Sequence, residues 1–292
     1  MTATVLFCSD PLNPRRVDDH FGAQADAVRT AGGTVVVLDH EALTVGDPVA
    51  AVRRVPRGGG RMWYRGWMIP VDRYRDLAQA LSSRGCALEV SPACYAKAHE
   101  LPGWYESFAG LTPRSRWLTG KPGEVPGQSV LAELAGSLGA GAGIVKDYVK
   151  SRKHEWDTAC YVPDLRDIRA LHGVVERFVE LQGEYLAGGV VLREFEDFTD
   201  VTGARAAEAR VWWLDGEPVV IGPHPDDPAV CPEPDLSWVA GAVSALGCRF
   251  VTTDVARRAD GDWRVVEVGD GQVSDLPSTV DAMALIGRLI AR

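Results

Sequence analysis

The sequence predicts an α/β region over the first hundred residues and an α+β region after it, and two observations carry that reading. Apolar runs of strand length alternate with helix-like segments up to about residue 100, which implies a parallel sheet with helices on its faces. Beyond that, two Asp-Gly pairs, Asp215-Gly216 and Asp260-Gly261, each join two apolar runs, the pattern of antiparallel hairpins.

Element by element, "ATVLFCS" reads as a strand and Asp19 to Ala31 as a helix ended by Gly32-Gly33. "TVVVLD" and "RMWYRGWM" are the next two strands. A helix over Val71 to Arg84 stops at Gly85, and "CALEVSP" is a fourth strand. The turn after the first strand, "CSDPLNPRR", has no glycine run, so it carries no dinucleotide fingerprint. From Trp104 the texture changes: Pro- and Gly-rich turns frame "LTPRSRWL", "GEVPG" and "AGSLGAGAG". Then come a strand "GIVKDYV", a basic loop "KSRKHEW", a strand at "TACYV" and a long helix from about Leu165 to Leu186. "VVLREFEDF" is a strand running into the acidic loop "EDFTD". The hairpin "AEARVWWLDGEPVVIG", a helix over Leu236 to Leu246, the hairpin "FVTTDVARRADGDWRVVEV" and a helix over Thr279 to Ile290 complete the order.

The chain of 292 residues is long enough for two or three compact subdomains. A formal net charge of -9 argues against a nucleic-acid surface as its main business. The six cysteines show no CxxC or metal-type spacing and read as reduced and mostly buried. His99, His154, His172 and His224 lack ligand-like spacing, and no nucleophile triad is visible. The N-terminus reads as a strand rather than a signal peptide, and no apolar run reaches membrane-span length, so a cytoplasmic location is expected.

Charged residues in apolar strands mark the candidate site. Lys146 lies in "GIVKDYV" beside the cations of the following loop, Lys150, Arg152 and Lys153. A lysine there is costly unless its ammonium reaches water or an anion, so the cluster suggests a polyphosphate cradle. An edge-strand lysine and a solvated charge run are the bland alternatives. Arg193 and Glu194 end a strand, and Phe195 follows. Arg210 aligns with Trp212 and Leu214, on a face where a guanidinium normally meets an anion; Glu208 offers a purely structural partner. Arg65, in "WYRGW", ends a parallel strand, where open α/β sheets place ligands.

In the last hairpin, Asp260 and Gly261 as the two turn residues put Ala259 opposite Asp262 and Asp254 opposite Glu267. Directly opposed residues sit roughly 4.5–5.5 Å apart at Cβ and share a face. Two like charges at that distance call for a cation between them, most simply a divalent one with oxygen ligands.

Taken together, the lysine strand, helix, Glu-Phe strand end, arginine hairpin and acidic hairpin resemble the ATP-grasp ligases over residues 104–292. Residues 1–103 are similar to the Rossmann-like domain that precedes that fold. "WYRGW", "VKDYVKS" and "EVGDGQVS" look like the clade with extra arginine and lysine signatures. The resemblance implies an ATP- and Mg²⁺-dependent carboxylate–amine (or thiol) ligase acting through an acyl phosphate on a small molecule, amino acid or peptide. A phosphotransferase on the same scaffold and a non-catalytic nucleotide-binding module are the alternatives. A homodimer is compatible with it; nucleic-acid and membrane partners are not implied.

Carried over by position, Lys146 matches the lysine on the α/β-phosphates, with Lys150 beside it. Glu194 and Phe195 match the hinge that meets ribose and adenine. Arg210 matches the arginine on the transferred phosphoryl group, and Asp254 and Glu267 match carboxylates for two magnesium ions. Arg65 and Arg193 are expected on substrate carboxylate or nucleotide. Where the family has asparagine, this chain has Gly269, so Asp270 is expected as the substitute ligand, ahead of Gln272 or an extra water. No residue matches the family's earlier lysine clearly; Arg116 is the stand-in.

Overall fold

The computed structural model describes residues 3–198 and 206–291. It divides into two compact units. One comprises Met1–Ala98, Ala207–Val255 and Glu267–Arg292; the other comprises His99–Ala206 and Ala256–Val266. A boundary drawn along the chain does not express this division, because the first unit is made of three segments.

The first unit opens with a parallel sheet of β1 (Thr4–Cys8), β2 (Thr34–Leu38), β3 (Gly60–Arg65) and β4 (Cys86–Leu88) in the order β2-β1-β3-β4. All three ladders are parallel, as the strand–helix alternation requires. Helices Gly22–Thr30 and Val71–Ser82 connect the strands. The second helix buries Tyr74, Leu77, Ala80 and Leu81, one stripe at helical spacing. Three helical segments escaped the sequence reading: His40–Thr44, Pro48–Ala51 and Pro92–His99. The first two are single turns, each begun by an aspartate (Asp39, Asp47) whose carboxylate accepts a backbone N–H.

Four later strands form an antiparallel sheet in the order β10-β9-β11-β12: β9 (Glu208–Leu214), β10 (Glu217–Pro223), β11 (Phe250–Arg257) and β12 (Trp263–Asp270). The first unit's core joins Val5, Leu6 and Tyr64 of the parallel sheet to Trp212 and Phe250 of the antiparallel one, with Leu285 and Leu289 of helix Ala282–Ile290. Among the described residues, no helix is long and apolar enough to cross a membrane.

The two Asp-Gly pairs make different turns. At Asp215-Gly216 both residues have positive φ, 53° and 86°, and Glu217 pairs with Leu214. This is the two-residue mirror-image turn that the sequence predicts. At Asp260-Gly261 only Gly261 is positive, at 97°. The amide of Gly261 donates to the Arg258 carbonyl at 2.9 Å, and the amide of Arg258 donates to the Asp262 carbonyl at 2.9 Å. The loop therefore has three residues, with Gly261 as a bulge, and Asp262 faces Arg258 rather than Ala259. Asp260 is held out of the left-handed region because its carboxylate accepts from the Asp262 amide and from Arg258.

The second unit holds an antiparallel sheet of β5 (Ser115–Thr119), β6 (Gly143–Lys146), β7 (Tyr161–Val162) and β8 (Gly189–Glu194), ordered β5-β8-β6-β7. Helix Ile168–Gln182 packs its Leu171, Val175, Phe178 and Val179 stripe into this unit's core with Val145, Val190 and Leu192. Asp167 caps it by accepting from the Ala170 amide at 3.0 Å, and it stops at Gly183. A further helix, Gln128–Gly136, covers residues that the small-residue composition had suggested were turn.

Candidate functional site

In the second unit, β6 ends at Lys146, earlier than the run "GIVKDYV" suggests, because Asp147 folds the chain back. One oxygen of its buried carboxylate accepts from the amides of Val149 (2.7 Å) and Lys150 (2.6 Å). The other accepts from Gln182 Nε2 (2.6 Å) and the Ala187 amide (3.2 Å). Four donors are what allow an ionised group to sit there. The buried Lys146 directs Nζ to the Val149 carbonyl at 3.3 Å, and Lys150 is exposed. Burial pushes the Cys160 thiol up to about 11 against the opposing pull of Lys153 and Lys146, which places both ammonium groups near one point of this unit. Arg152 is engaged elsewhere. It bonds Gln182 Oε1 at 2.8 Å and the Leu181 carbonyl, at the negative end of helix Ile168–Gln182.

At the end of β8, Glu194 is paired with Arg114, whose Nε lies 2.8 Å from Oε2 and whose Nη2 meets Oε1. Phe195 completes a half-buried ring cluster with Trp156 and Tyr161. Tyr161 is edge-on to it at 5.2 Å, while Trp156 and Tyr161 stack at 5.2 Å and 12°. Sequence reasoning missed both partners, whose only signal was their place just after the basic loop. Arg193 is not turned toward a ligand as expected. Its Nη2 donates to Thr112 Oγ1 at 2.7 Å and to the Val265 carbonyl at 3.3 Å, tying β8 to its neighbours within this unit. Arg116 is exposed and bonds the Ser115 carbonyl of its own strand. Of the loop "EDFTD", Thr199 and Asp200 lie outside the described residues.

In the first unit, one face of β9, β11 and β12 changes character along its length. Phe250 and Trp212 are in the core, and Arg210, Asp254 and Glu267 follow on the same face. At the base the hairpin keeps the expected register. The Gly271 amide donates to the Phe250 carbonyl at 3.0 Å, and a Cβ on Gly269 would meet Thr252 Oγ1 at 3.0 Å. Two residues further along each strand, Asp254 and Glu267 share that face. The cation beside them is already present. Arg210 Nε and Nη2 each lie 2.8 Å from an oxygen of Asp254, a bidentate pair that is nearly buried. The partner is thus Asp254, not the neighbouring Glu208 that the sequence offered. His224 joins from β10's end. Its Nδ1 accepts from the Asp226 amide at 3.2 Å, so the neutral ring carries its proton on Nε2, which lies 3.5 Å from Asp254 Oδ2. Burial alone would raise the Asp254 pKa, but Arg210 and His224 hold it well below the usual carboxylate range. Arg210 is raised despite its burial by Asp254, Glu267 and Asp275.

Two further expectations are overturned in this unit. Asp270 lies an odd number of residues from Glu267, so it leaves the opposite face of β12. There it is fully buried, with Oδ1 accepting from the Gln272 amide (2.9 Å) and Nε2 (3.0 Å). Burial pushes its pKa up to about 7. Gln272, the other substitute considered, is also buried and bonds Tyr74 and the Tyr64 amide. Arg65 is fully buried as well, and it bonds Gln24 Oε1 (2.9 Å) and the carbonyls of Gly271 (2.6 Å) and Ser274 (3.0 Å). "WYRGW" and "GDGQVS" therefore recognise each other, which is a structural use of both motifs.

A lysine beside a ring cluster in one unit, and an arginine with two carboxylates on a strand face in the other, are matched by the family comparison. Residues 137–289 match the ATP-grasp domain, family 3 of the clade with extra arginine and lysine signatures. The chain belongs to that family. By type it is an ATP-dependent ligase of the ATP-grasp kind. No curated protein matches the sequence. Among solved structures it is similar in fold to the D-cycloserine synthetase DcsG, with 18% identity, TM-score 0.62, and 98% of this chain and 100% of that chain covered. A RimK domain protein ATP-grasp from Sphaerobacter thermophilus is also similar (15%, 0.61, 99% and 100%). So is the ATP-grasp ligase PsnB in complex with a minimal precursor, Mg and ADP (16%, 0.57, 99% and 97%).

The ATP-grasp family implies magnesium, and the first unit's donor set fits one ion. Mg²⁺ is commonly held by one or two carboxylates with waters and substrate phosphates, and Asp254 and Glu267 supply two carboxylates on one face. Among the described residues, no three His, Cys, Asp or Glu side chains gather as a metal cluster.

Proposed function

We propose that this ATP-grasp chain joins a carboxylate to an amine (or thiol) through an acyl phosphate, with a small molecule, amino acid or peptide as substrate. The observation that carries the reading is Arg210, Asp254 and Glu267 on one strand face, a cation and two anions suited to phosphoryl transfer. The solved relatives support both small and peptide substrates, since one is a D-cycloserine synthetase and another binds a precursor peptide.

In this reading Lys146 binds the α/β-phosphates with Lys150, and Phe195 with Trp156 and Tyr161 offers rings for the adenine. Arg210 steadies the γ-phosphoryl group as charge shifts during transfer. A substrate carboxylate oxygen attacks the γ-phosphorus, and the bond to the ADP oxygen breaks. The amine then attacks the acyl carbon, the phosphate leaves with the carbonyl–oxygen bond pair, and the nitrogen loses a proton. Magnesium, held by Asp254 and Glu267, supplies neutralisation of phosphate charge. Arg65 and Arg193 are assigned no ligand, because both are spent on the protein's own carbonyls and side chains.

The test is ADP release across a panel of amino acids and peptides, with products read by mass spectrometry. A ligase gives ADP, phosphate and a joined product. A stable phosphoester without free phosphate would mark a phosphotransferase, and tight ATP binding without ADP formation would mark a binding module.

A further inference from the structure

We propose that this chain takes one divalent cation with its nucleotide, where its family resemblance implies two, and that Arg210 and His224 hold the place beside Asp254 that a second ion would need. The inference rests on the ATP-grasp reading and concerns only residues of the first unit.

Three observations carry it. First, the family's asparagine position is Gly269, and it is closed as well as empty of a ligand. A Cβ there would lie 3.0 Å from Thr252 Oγ1 and 3.2 Å from Ser274 Oγ. Those hydroxyls bond each other at 2.6 Å, and Ser274 Oγ also donates to the Asp270 carbonyl at 2.9 Å, so the pair is fixed. Second, Asp270 cannot replace the missing ligand, because it faces the other side of β12 and is engaged by Gln272. Third, both oxygens of Asp254 already receive Arg210, and the protonated nitrogen of His224 faces the same carboxylate. Formal charge agrees. Asp254 and Glu267 carry two negative charges and Arg210 one positive, leaving one net negative charge beside a neutral His224. One divalent ion overcompensates that charge and presents positive charge to a polyphosphate. A second would crowd against a buried guanidinium with no neutral oxygen ligand to hold it.

The chain is mixed one to one with the non-hydrolysable ATP analogue AMPPNP and titrated with Mn²⁺, free ion being followed by electron paramagnetic resonance. Nucleotide binding is measured in parallel by calorimetry. One Mn²⁺ per nucleotide-bound chain is expected, and two would overturn the proposal. Arg210→Met, without nucleotide, should bind Mn²⁺ about tenfold more tightly or better, since the guanidinium no longer competes for Asp254; unchanged affinity in the folded variant would overturn the role given to Arg210. Should that variant fail to fold, the wild-type count still decides. Absence of any AMPPNP binding would reject the ATP-grasp reading itself and the proposal with it, an outcome distinct from binding with two ions.

Discussion

Replacing Arg210 by methionine keeps the aliphatic bulk of the side chain and removes the cation from Asp254. In the structure Asp254 is almost fully buried and takes two hydrogen bonds from Arg210, with only His224 at 3.5 Å in reserve. Removing one partner of a buried pair leaves an uncompensated charge, a cost of about 3–5 kcal/mol. At roughly 2–4 °C per kcal/mol for chains somewhat shorter than this one, the melting temperature should fall by roughly 6–20 °C near pH 7. The pH dependence has a definite sign. Asp254 has a depressed pKa in the folded state, so its stabilising contribution is present above the unfolded value near 4 and is lost as pH falls through the lower folded value. The gap between wild type and Arg210→Met should therefore be widest above about pH 5 and narrow toward pH 2. Millimolar Mg²⁺ alone should recover part of the loss in the variant and do little for the wild type. Differential scanning calorimetry across pH, with and without Mg²⁺, reads all of this. A shift under about 2 °C at pH 7, or a gap that does not close in acid, would show that the Arg210–Asp254 pair is not the buried latch described here.

Lys146→Met should leave the melting temperature near wild type and weaken ATP binding tenfold or more, since a charged hydrogen bond is worth about 1.5–3 kcal/mol; calorimetric titration checks it, and unchanged affinity would remove Lys146 from the phosphate site. Asp270 has a raised pKa of about 7, so the folded state holds a proton that the unfolded state has already lost. Wild-type stability should accordingly fall from about pH 4 to pH 7, and Asp270→Asn should abolish that fall while keeping the metal response, as followed by thermal melts. Arg65→Met strips hydrogen bonds from the Gly271 and Ser274 carbonyls and should lower the melting temperature by several degrees. Unchanged stability with a raised KM for substrate would instead make Arg65 a ligand.

What the sequence made legible followed periodicity and charge in strands. The parallel ladders, the arginine hairpin and the face shared by Asp254 and Glu267 all follow from the period of two and the turn signals. The failures have physical causes. Asp270 and Glu267 were treated as one ligand set although strand alternation sends them to opposite faces, a conflict visible in the sequence itself. The tip of the hairpin escaped because Asp-Gly serves two loop types, and only the Asp260 hydrogen bonds select the three-residue one. The partners of Arg65, Arg193 and Glu194 come from residues distant in sequence, or from backbone carbonyls that carry no sequence signal. His224 was set aside for lack of spacing, yet its place beside Asp254 is fixed by the β9–β10 hairpin, whose register pairs Gly222 with Arg210.

The most direct test of the acyl-phosphate account follows one oxygen. With the substrate found in the ADP-release screen prepared with oxygen-18 in its carboxylate, the phosphate released during ligation should carry one labelled oxygen and the joined product one fewer than the substrate. Unlabelled phosphate, or label in AMP, would contradict carboxylate attack on the γ-phosphorus and with it the role given to Arg210, Asp254 and Glu267.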